Sequence, residues 1–178
     1  MQITDALFDL CKSTHQPIIA IDGSAGAGKT TLASHLSAAL SLKYRVAIIH
    51  MDDLYNGWDQ AFDHHLSDAL ILAATSHQKK TPAALPRFNW QIGSYGESVQ
   101  LPSADLLILE GVGSSQRAVR PFLTTSIWLE IEPALGFERV IARDGQEFSE
   151  QMQKWLRAQE QHFRVEESKV NADFILTT

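Results

Sequence analysis

One glycine-rich stretch of the chain carries the residue types and spacing that bind nucleotide phosphates. It fits the pattern G-x-x-x-x-G-K-[ST] without departure and consists of Gly23, Ser24, Ala25, Gly26, Ala27, Gly28, Lys29 and Thr30. In such a loop, backbone N–H groups point at phosphate oxygens, the lysine reaches the β- and γ-phosphates, and the hydroxyl ligates Mg²⁺. The alternative is an ordinary glycine-rich turn. We predict that this loop, with Thr31 at the start of the following helix, binds a nucleotide.

Acidic residues follow two further apolar runs of the chain. Asp52 and Asp53 come shortly after residues 46–49, and Glu110 comes directly after residues 106–109. Carboxylate oxygens are suitable ligands for Mg²⁺, and a carboxylate near the γ-phosphate can accept the proton of an attacking hydroxyl. The alternative functions are a helix N-cap for the aspartate pair and a solvent-facing charge for Glu110.

The apolar patterns predict elements that would bring these residues to one edge of a sheet. Continuous apolar runs, which are typical of buried parallel strands, occur at residues 18–22, 46–49, 106–109, 127–131 and 174–176. Helical spacing occurs at residues 3–14, 29–41, 59–74, 133–144 and 148–163. Residues 76–102 are predicted to form a loop with short extended pieces. This alternation predicts an α/β fold with a doubly wound parallel sheet of about five strands, at whose carboxyl ends ligands gather.

Composition limits the class of protein. The 178 residues carry a formal net charge of −6, and their longest cluster of basic residues is Lys79-Lys80, so neither nucleic acid nor a membrane is an expected partner. Cys11 is the one cysteine, which argues against disulfides and a cysteine metal site. The start of the chain, Met1 to Asp5, lacks a basic signal segment. We predict a single domain over residues 1–178, in the cytoplasm, as a monomer or homodimer.

Several motifs together resemble the uridine kinase/phosphoribulokinase group of P-loop kinases. The resemblance covers roughly residues 16–177 and rests on four stretches in the same order: the loop at 23–30, Asp52-Asp53-Leu54-Tyr55, Glu110-Gly111, and Arg139-x-x-x-Arg143-Asp144. It implies a P-loop NTPase fold, with ATP and Mg²⁺ as cofactors.

The resemblance also implies roles for individual residues. Asp52 would be the catalytic base near the metal, and Thr30, Asp52 and Glu110 would hold Mg²⁺. Arg139 and Arg143 would lie on a mobile lid near residues 136–150 and contact the transferring phosphates. Four residues apart, the two arginines share one helix face, where guanidinium groups can stabilise the charge of the transition state. The alternative is a pair of solvated surface arginines.

The acceptor side departs from the family. Where nucleoside-phosphorylating members carry a tyrosine-aspartate-phenylalanine motif followed by a histidine, this chain has Arg87-Phe88-Asn89-Trp90 with no histidine nearby. The predicted acceptor-binding residues are Asp53, Tyr55, Arg87, Phe88 and Trp90. Aromatic faces suit a flat acceptor, and Arg87 would suit one that carries a carboxylate or phosphate. The alternatives are plain packing for the aromatic residues and a surface ion pair for Arg87.

Two classes of function compete on this pattern. The first is an ATP-dependent kinase that moves a phosphoryl group from Mg-ATP to a hydroxyl of a small molecule. A nucleoside such as uridine is among its possible acceptors, and Lys29 and Asp52 would be catalytic residues. The second is an ATPase or nucleotide switch acting on a protein partner. The sequence contains neither the N-K-x-D motif of GTPase switches nor an L-S-G-G-Q-like signature, and we therefore favour the kinase.

Overall fold

The structure, a computed structural model, describes residues 3–178, so Met1 and Gln2 of the N-terminal stretch lie outside it. The helices of the described chain are α1 (Ile3–Lys12), α2 (Lys29–Leu40), α3 (His64–Lys79), α4 (Pro133–Asp144) and α5 (Ser149–Glu166). The strands are β1 (Ile18–Gly23), β2 (Val46–His50), β3 (Ala84–Leu85), β4 (Phe88–Asn89), β5 (Ser94–Tyr95), β6 (Val99–Gln100), β7 (Leu106–Glu110), β8 (Thr125–Glu130) and β9 (Phe174–Thr177).

Five of these strands form the central parallel sheet of residues 3–178, in the order β2-β7-β1-β8-β9. The strand before the glycine-rich loop, β1, therefore lies in the middle of the sheet, between β7 and β8. The predicted α/β fold with a doubly wound parallel sheet is confirmed. Because all five strands point the same way, the residues after β1, β2 and β7 meet at one edge of the sheet.

Helices cover both faces of the sheet, and the alternation of side chains along each strand explains why. Ile18 of β1 packs into the core shared with α3 and α5, whereas its neighbour Ile19 packs into the core shared with α1 and α2. Successive side chains of a strand point to opposite faces, so a strand covered on both sides has to be apolar throughout. This requirement accounts for the continuous apolar runs in the sequence.

The segment between β2 and β7 differs from its prediction. Helix α3 begins at His64 rather than at residue 59, because the Asp63 side chain accepts a hydrogen bond from the His65 N–H and caps the helix there. It ends at Lys79, beyond the predicted residue 74, where Lys80 adopts a left-handed conformation. Two short antiparallel pairs, β3 with β6 and β4 with β5, follow in the predicted loop.

Across residues 3–178, no helix combines the length and the apolar composition needed to cross a lipid bilayer.

Candidate active site

The glycine-rich loop connects β1 to α2 in a conformation that depends on its glycines. Gly26 and Gly28 have φ values of 80° and 86°, a region that is costly for residues with a Cβ. A Cβ at Gly26 would also collide with the Gly136 carbonyl group in the first turn of α4. Helix α4, which contains the predicted lid arginines, is therefore packed directly against the loop.

Lys29 is the first residue of α2 and lies almost fully buried inside the loop. Its ammonium group donates a hydrogen bond of 2.8 Å to the Ser24 carbonyl oxygen, which folds the side chain back over the loop. Burial lowers the pKa of Lys29, while the carboxylates of Asp22, Glu110 and Asp52 act in the opposite direction. A phosphate group placed at the loop would add further negative charge and favour the protonated lysine.

Glu110, at the carboxyl end of β7, faces the loop. Both of its carboxylate oxygens lie 3.2 Å from the Thr30 hydroxyl, and one of them lies 2.7 Å from Nδ1 of His50. The sheet register pairs His50 of β2 with Glu110 of β7, which explains why the two side chains meet. The hydrogen bond to Glu110 raises the pKa of His50. His50 was not among the predicted site residues.

Asp52 lies in a single turn of 3₁₀ helix, Met51–Asp53, directly after β2. Partial removal from water, and then the nearby Glu110 carboxylate, raise the pKa of Asp52, while Lys29 and Arg143 lower it. An aspartate with a raised pKa holds a proton more readily than an ordinary one, as a general base requires.

The two predicted lid arginines lie in α4 and face the loop side of the molecule. Arg139 donates a hydrogen bond of 3.4 Å to the Gly26 carbonyl oxygen of the loop. Arg143 forms two hydrogen bonds, of 2.6 and 2.7 Å, with the neighbouring Asp144 carboxylate. Arg143 is exposed, with 70% of its side-chain surface accessible, so its guanidinium group can exchange this neighbour for a phosphate group.

Apart from His50, which lines a separate cavity, these side chains line one cavity of about 410 Å³. Of the residues predicted to bind the nucleotide, the lining contains Ala25, Gly26, Gly28, Lys29, Thr30 and Thr31, while Gly23, Ser24 and Ala27 lie outside it. It also contains Asp52, Glu110, Arg139 and Arg143. The structure therefore brings together the residues for which catalytic and metal-binding roles were predicted.

The predicted acceptor-binding residues divide into two groups. Tyr55 and Trp90 line the same cavity. Arg87 and Asp53 instead form an ion pair of 3.2 Å and line a separate cavity of about 160 Å³. Phe88 is buried and packs edge-to-face against the rings of Trp90 and Tyr95. The geometry of Arg87 and Asp53 corresponds to the alternative of a surface ion pair, and that of Phe88 to plain packing. A role of these three residues in acceptor binding stays a prediction.

Two buried polar residues near the loop were missing from the prediction. Asp22, the last residue but one of β1, accepts hydrogen bonds from the backbone N–H groups of Gly23, Gly113 and Ser115 and from the Ser115 hydroxyl, at 2.7–3.1 Å. It therefore joins the glycine-rich loop to the segment that follows Glu110. An acidic residue at the end of an apolar run was the available signal in the sequence.

Gln159 is the second of these residues, and it lies on the buried face of α5. Its side-chain oxygen accepts a hydrogen bond of 3.1 Å from the Ala25 backbone N–H of the loop. The same face of α5 carries Met152 and Trp155, which line the cavity. The sequence signal was a polar residue within an apolar helical stripe, but nothing in the sequence indicated which partner it would meet.

Comparison with curated proteins identifies a relative of known activity. The chain is 27% identical to a uridine kinase from Lactobacillus helveticus (strain DPC 4571) over 147 residues, which span 73% of this chain and 68% of that protein. No family model matches the sequence.

Several solved structures share the fold. One, described as a possible uridine kinase from Bacillus stearothermophilus, matches 99% of this chain and 100% of its own with a TM-score of 0.63 at 22% identity. A protein of Silicibacter sp. TM1040, provisionally assigned as a fructose transport system kinase, matches 98% of this chain and 97% of its own with a TM-score of 0.75 at 17% identity. A D-glycerate 3-kinase from Cryptococcus neoformans var. grubii matches 99% of this chain and 96% of its own with a TM-score of 0.62 at 10% identity. The chain therefore has the fold of the P-loop kinases, and its sequence is similar to that of a uridine kinase, in line with the resemblance to the uridine kinase/phosphoribulokinase group.

Proposed function

We propose that this protein is a small-molecule kinase that transfers the γ-phosphoryl group of ATP to a hydroxyl group of its acceptor. The observation that carries the proposal is the meeting of Lys29, Thr30, Asp52 and Glu110 in one cavity. Phosphoryl transfer requires little more than positioning and the stabilisation of negative charge, and these residues supply both. The relative and the structural neighbours named above support a kinase, whereas none of their descriptions refers to a switch that acts on a protein.

Each residue of the site has a distinct task in this proposal. The N–H groups of the loop and the Lys29 ammonium group hold the phosphates of the nucleotide. Arg139 and Arg143 bind the transferring phosphoryl group from the opposite side. Asp52 accepts the proton of the acceptor hydroxyl, and its raised pKa favours that step.

The residues present fit a magnesium ion. The Thr30 hydroxyl and both Glu110 oxygens approach each other within 3.2 Å, and together they offer the oxygen ligands that this hard cation prefers. When bound, Mg²⁺ would neutralise part of the negative charge of the phosphates. His50 would keep the Glu110 carboxylate turned toward this position through its 2.7 Å contact.

The lid is a second part of the proposal. Residues 136–150 comprise most of α4, the short 3₁₀ turn Gln146–Phe148 and the start of α5. We infer that this segment closes over bound nucleotide within one kinase domain, so that Arg143 exchanges Asp144 for a phosphate. Uridine is one acceptor to be tested, in line with the activity of the relative from Lactobacillus helveticus.

The test of the proposed function is nucleotide binding and turnover in the Lys29→Ala variant. The native protein should bind a fluorescent ADP analogue and release ADP from ATP in the presence of an acceptor and Mg²⁺. The variant should lose most of this turnover, because it lacks the positive charge at the β- and γ-phosphates. The exposed Lys43→Ala is the matched control. Equal nucleotide binding and turnover in Lys29→Ala and the native protein would contradict the proposal.

A further inference from the structure

The cations that line the main cavity are all residues predicted to bind the phosphates of the nucleotide. Among the described residues that line it, the cations are Lys29, Arg139 and Arg143. Lys29 and Arg139 donate hydrogen bonds to carbonyl oxygens of the glycine-rich loop, and Arg143 is engaged by Asp144. An ATP molecule in the cavity would occupy these cations with its own phosphates.

Four aromatic residues also line the cavity. Trp58 contacts Trp90 and Trp155, with ring centroids 5.3 and 5.7 Å apart and interplanar angles of 63° and 89°. Tyr55 contacts Trp155 at 5.0 Å. We call these four residues the aromatic corner. Because the rings of Trp58 and Trp155 meet nearly at right angles, they form two walls against which a ligand can pack.

The aromatic corner contains no charged side chain, and two of its polar groups are already engaged. The Trp90 indole N–H already donates to the Asp52 carbonyl oxygen at 2.9 Å, and the Tyr55 hydroxyl donates to the Val112 carbonyl oxygen at 2.8 Å. These two donors are therefore engaged inside the protein. An acceptor carboxylate or phosphate that packed here would have neither group as a hydrogen-bond partner. The indole N–H groups of Trp58 and Trp155 remain, and as uncharged donors they would serve an alcohol as readily as an anion.

Two carboxylates, those of Asp52 and Glu110, share the cavity with the aromatic corner. The Asp52 backbone carbonyl accepts a hydrogen bond from Trp90, and the Glu110 carboxylate raises the pKa of Asp52, whereas Lys29 and Arg143 lower it. Bound ATP would occupy those two cations with its phosphates and leave the carboxylates to face the acceptor. A second anion brought into this part of the cavity would lose water and meet like charges, and both effects oppose its binding.

Arg87 is the cation that the sequence offered for an anionic acceptor, and its position argues against that use. Its guanidinium group pairs with Asp53 and lines the other cavity, together with Leu85 and Pro86. The main cavity therefore has to bind its acceptor without this residue.

From these observations we propose that the acceptor is an uncharged alcohol whose body packs against the aromatic corner, and that alcohols carrying a carboxylate or phosphate group are rejected. This inference rests on the proposed kinase function. It separates uncharged from anionic acceptors, and the fold itself does not make that choice. The same fold occurs in a D-glycerate 3-kinase, whose name specifies an anionic acceptor.

The test compares acceptors in pairs that differ chiefly by one anionic group. Three such pairs are uridine and orotidine, D-ribose and D-ribose 5-phosphate, and glycerol and D-glycerate. For each compound, ADP release from Mg-ATP gives kcat/KM, and tryptophan fluorescence in the presence of a non-hydrolysable ATP analogue gives the dissociation constant. We expect the uncharged member of at least one pair to be preferred by about tenfold or more, because an unpaired anion beside carboxylates is strongly disfavoured.

A pair of variants tests the cause of this preference. Trp58 is partly exposed, so Trp58→Lys can place a cation at the aromatic corner, and Trp58→Leu removes the ring without adding charge. The lysine variant should reduce the preference for uncharged acceptors relative to the leucine variant. Equal reductions in the two variants would contradict the role of charge.

Two outcomes would overturn the inference. The first is that, in the acceptor pair with the highest kcat/KM, the anionic compound has the same kcat/KM or the same dissociation constant as its uncharged partner. The other is an absence of preference in all three pairs, including no response to either member. The proposed function fails on a different measurement, since it requires that nucleotide binding and turnover decrease in Lys29→Ala whatever the acceptor.

Discussion

Substitution of Gln159 by leucine isolates one contact between α5 and the glycine-rich loop. The side-chain oxygen of Gln159 accepts a hydrogen bond of 3.1 Å from the Ala25 N–H, and Gln159 is only 4% exposed. Leucine has a similar volume and keeps the helix, but it leaves this N–H without its partner. The peptide group of Ala25 should then be free to turn away from the orientation that the loop needs for phosphate binding.

The magnitude follows from the loss of one neutral hydrogen bond. Such a bond contributes about 1 kcal/mol net, and the cost increases to about 1–3 kcal/mol where the donor stays buried and unpaired. Since Ala25 is only partly buried, water can replace part of the contact, and we use the lower figure. A loss of about 1 kcal/mol corresponds to nucleotide binding that is weaker by about fivefold.

The assay is titration of the protein with a fluorescent ADP analogue, together with urea unfolding of the same samples. Gln161→Leu is the matched control, because Gln161 is exposed on the same helix. The Gln159→Glu variant keeps an acceptor oxygen but carries an added negative charge near the phosphates. Its affinity for nucleotide should therefore be low in low salt and should partly recover in high salt, which screens the repulsion. If Gln159→Leu loses stability but binds nucleotide as well as Gln161→Leu does, the contact supports only the fold and the reasoning is wrong.

Three further predictions follow from the site and the core. Asp52→Asn should slow phosphoryl transfer by about 10² or more with little change in nucleotide affinity, because it removes the proton acceptor. Asp53→Asn should have the smaller effect. If single-turnover rates show the opposite order, Asp53 rather than Asp52 is the base. The lid at residues 136–150 should be cut by protease more slowly when an ATP analogue is bound, whereas equal cleavage in both states would exclude closure. Burial lowers the pKa of His77 and His162, so both histidines take up protons when the protein unfolds in mildly acidic solution. The stability that the two neutral histidines allow should be fully present above a pH of about 6.5 and should decrease as the pH falls below that value. Urea unfolding at a series of pH values measures this change. The measurement uses a His50→Gln background, because the raised pKa of His50 acts in the opposite direction over the same pH range. Unchanged stability of that variant between pH of about 7 and 5 would contradict this last expectation.

Local chemistry explains why much of the site could be predicted from the sequence. The glycine-rich loop depends on φ values that glycine adopts easily, and its lysine and threonine act within a few residues of it. The central strands β1 and β7 are apolar up to the acidic residues near their carboxyl ends because they are buried on both faces, whereas the edge strands β2 and β9 are less buried at alternate positions. Parallel strands bring their carboxyl ends to one edge, so Asp52 and Glu110 could be expected near the loop before any distance was known.

Tertiary structure decided which residues meet across the sheet and across the cavity. His50 contacts Glu110 because β2 lies next to β7, an order that the sequence does not state. Gln159 reaches Ala25 across 134 positions of the chain, and Arg87 pairs with Asp53 across 34. Such contacts depend on how helices and loops pack against the sheet. Residue type and periodicity specify which side of an element is buried, but the partner that a buried polar group meets is selected by the packing of the whole fold.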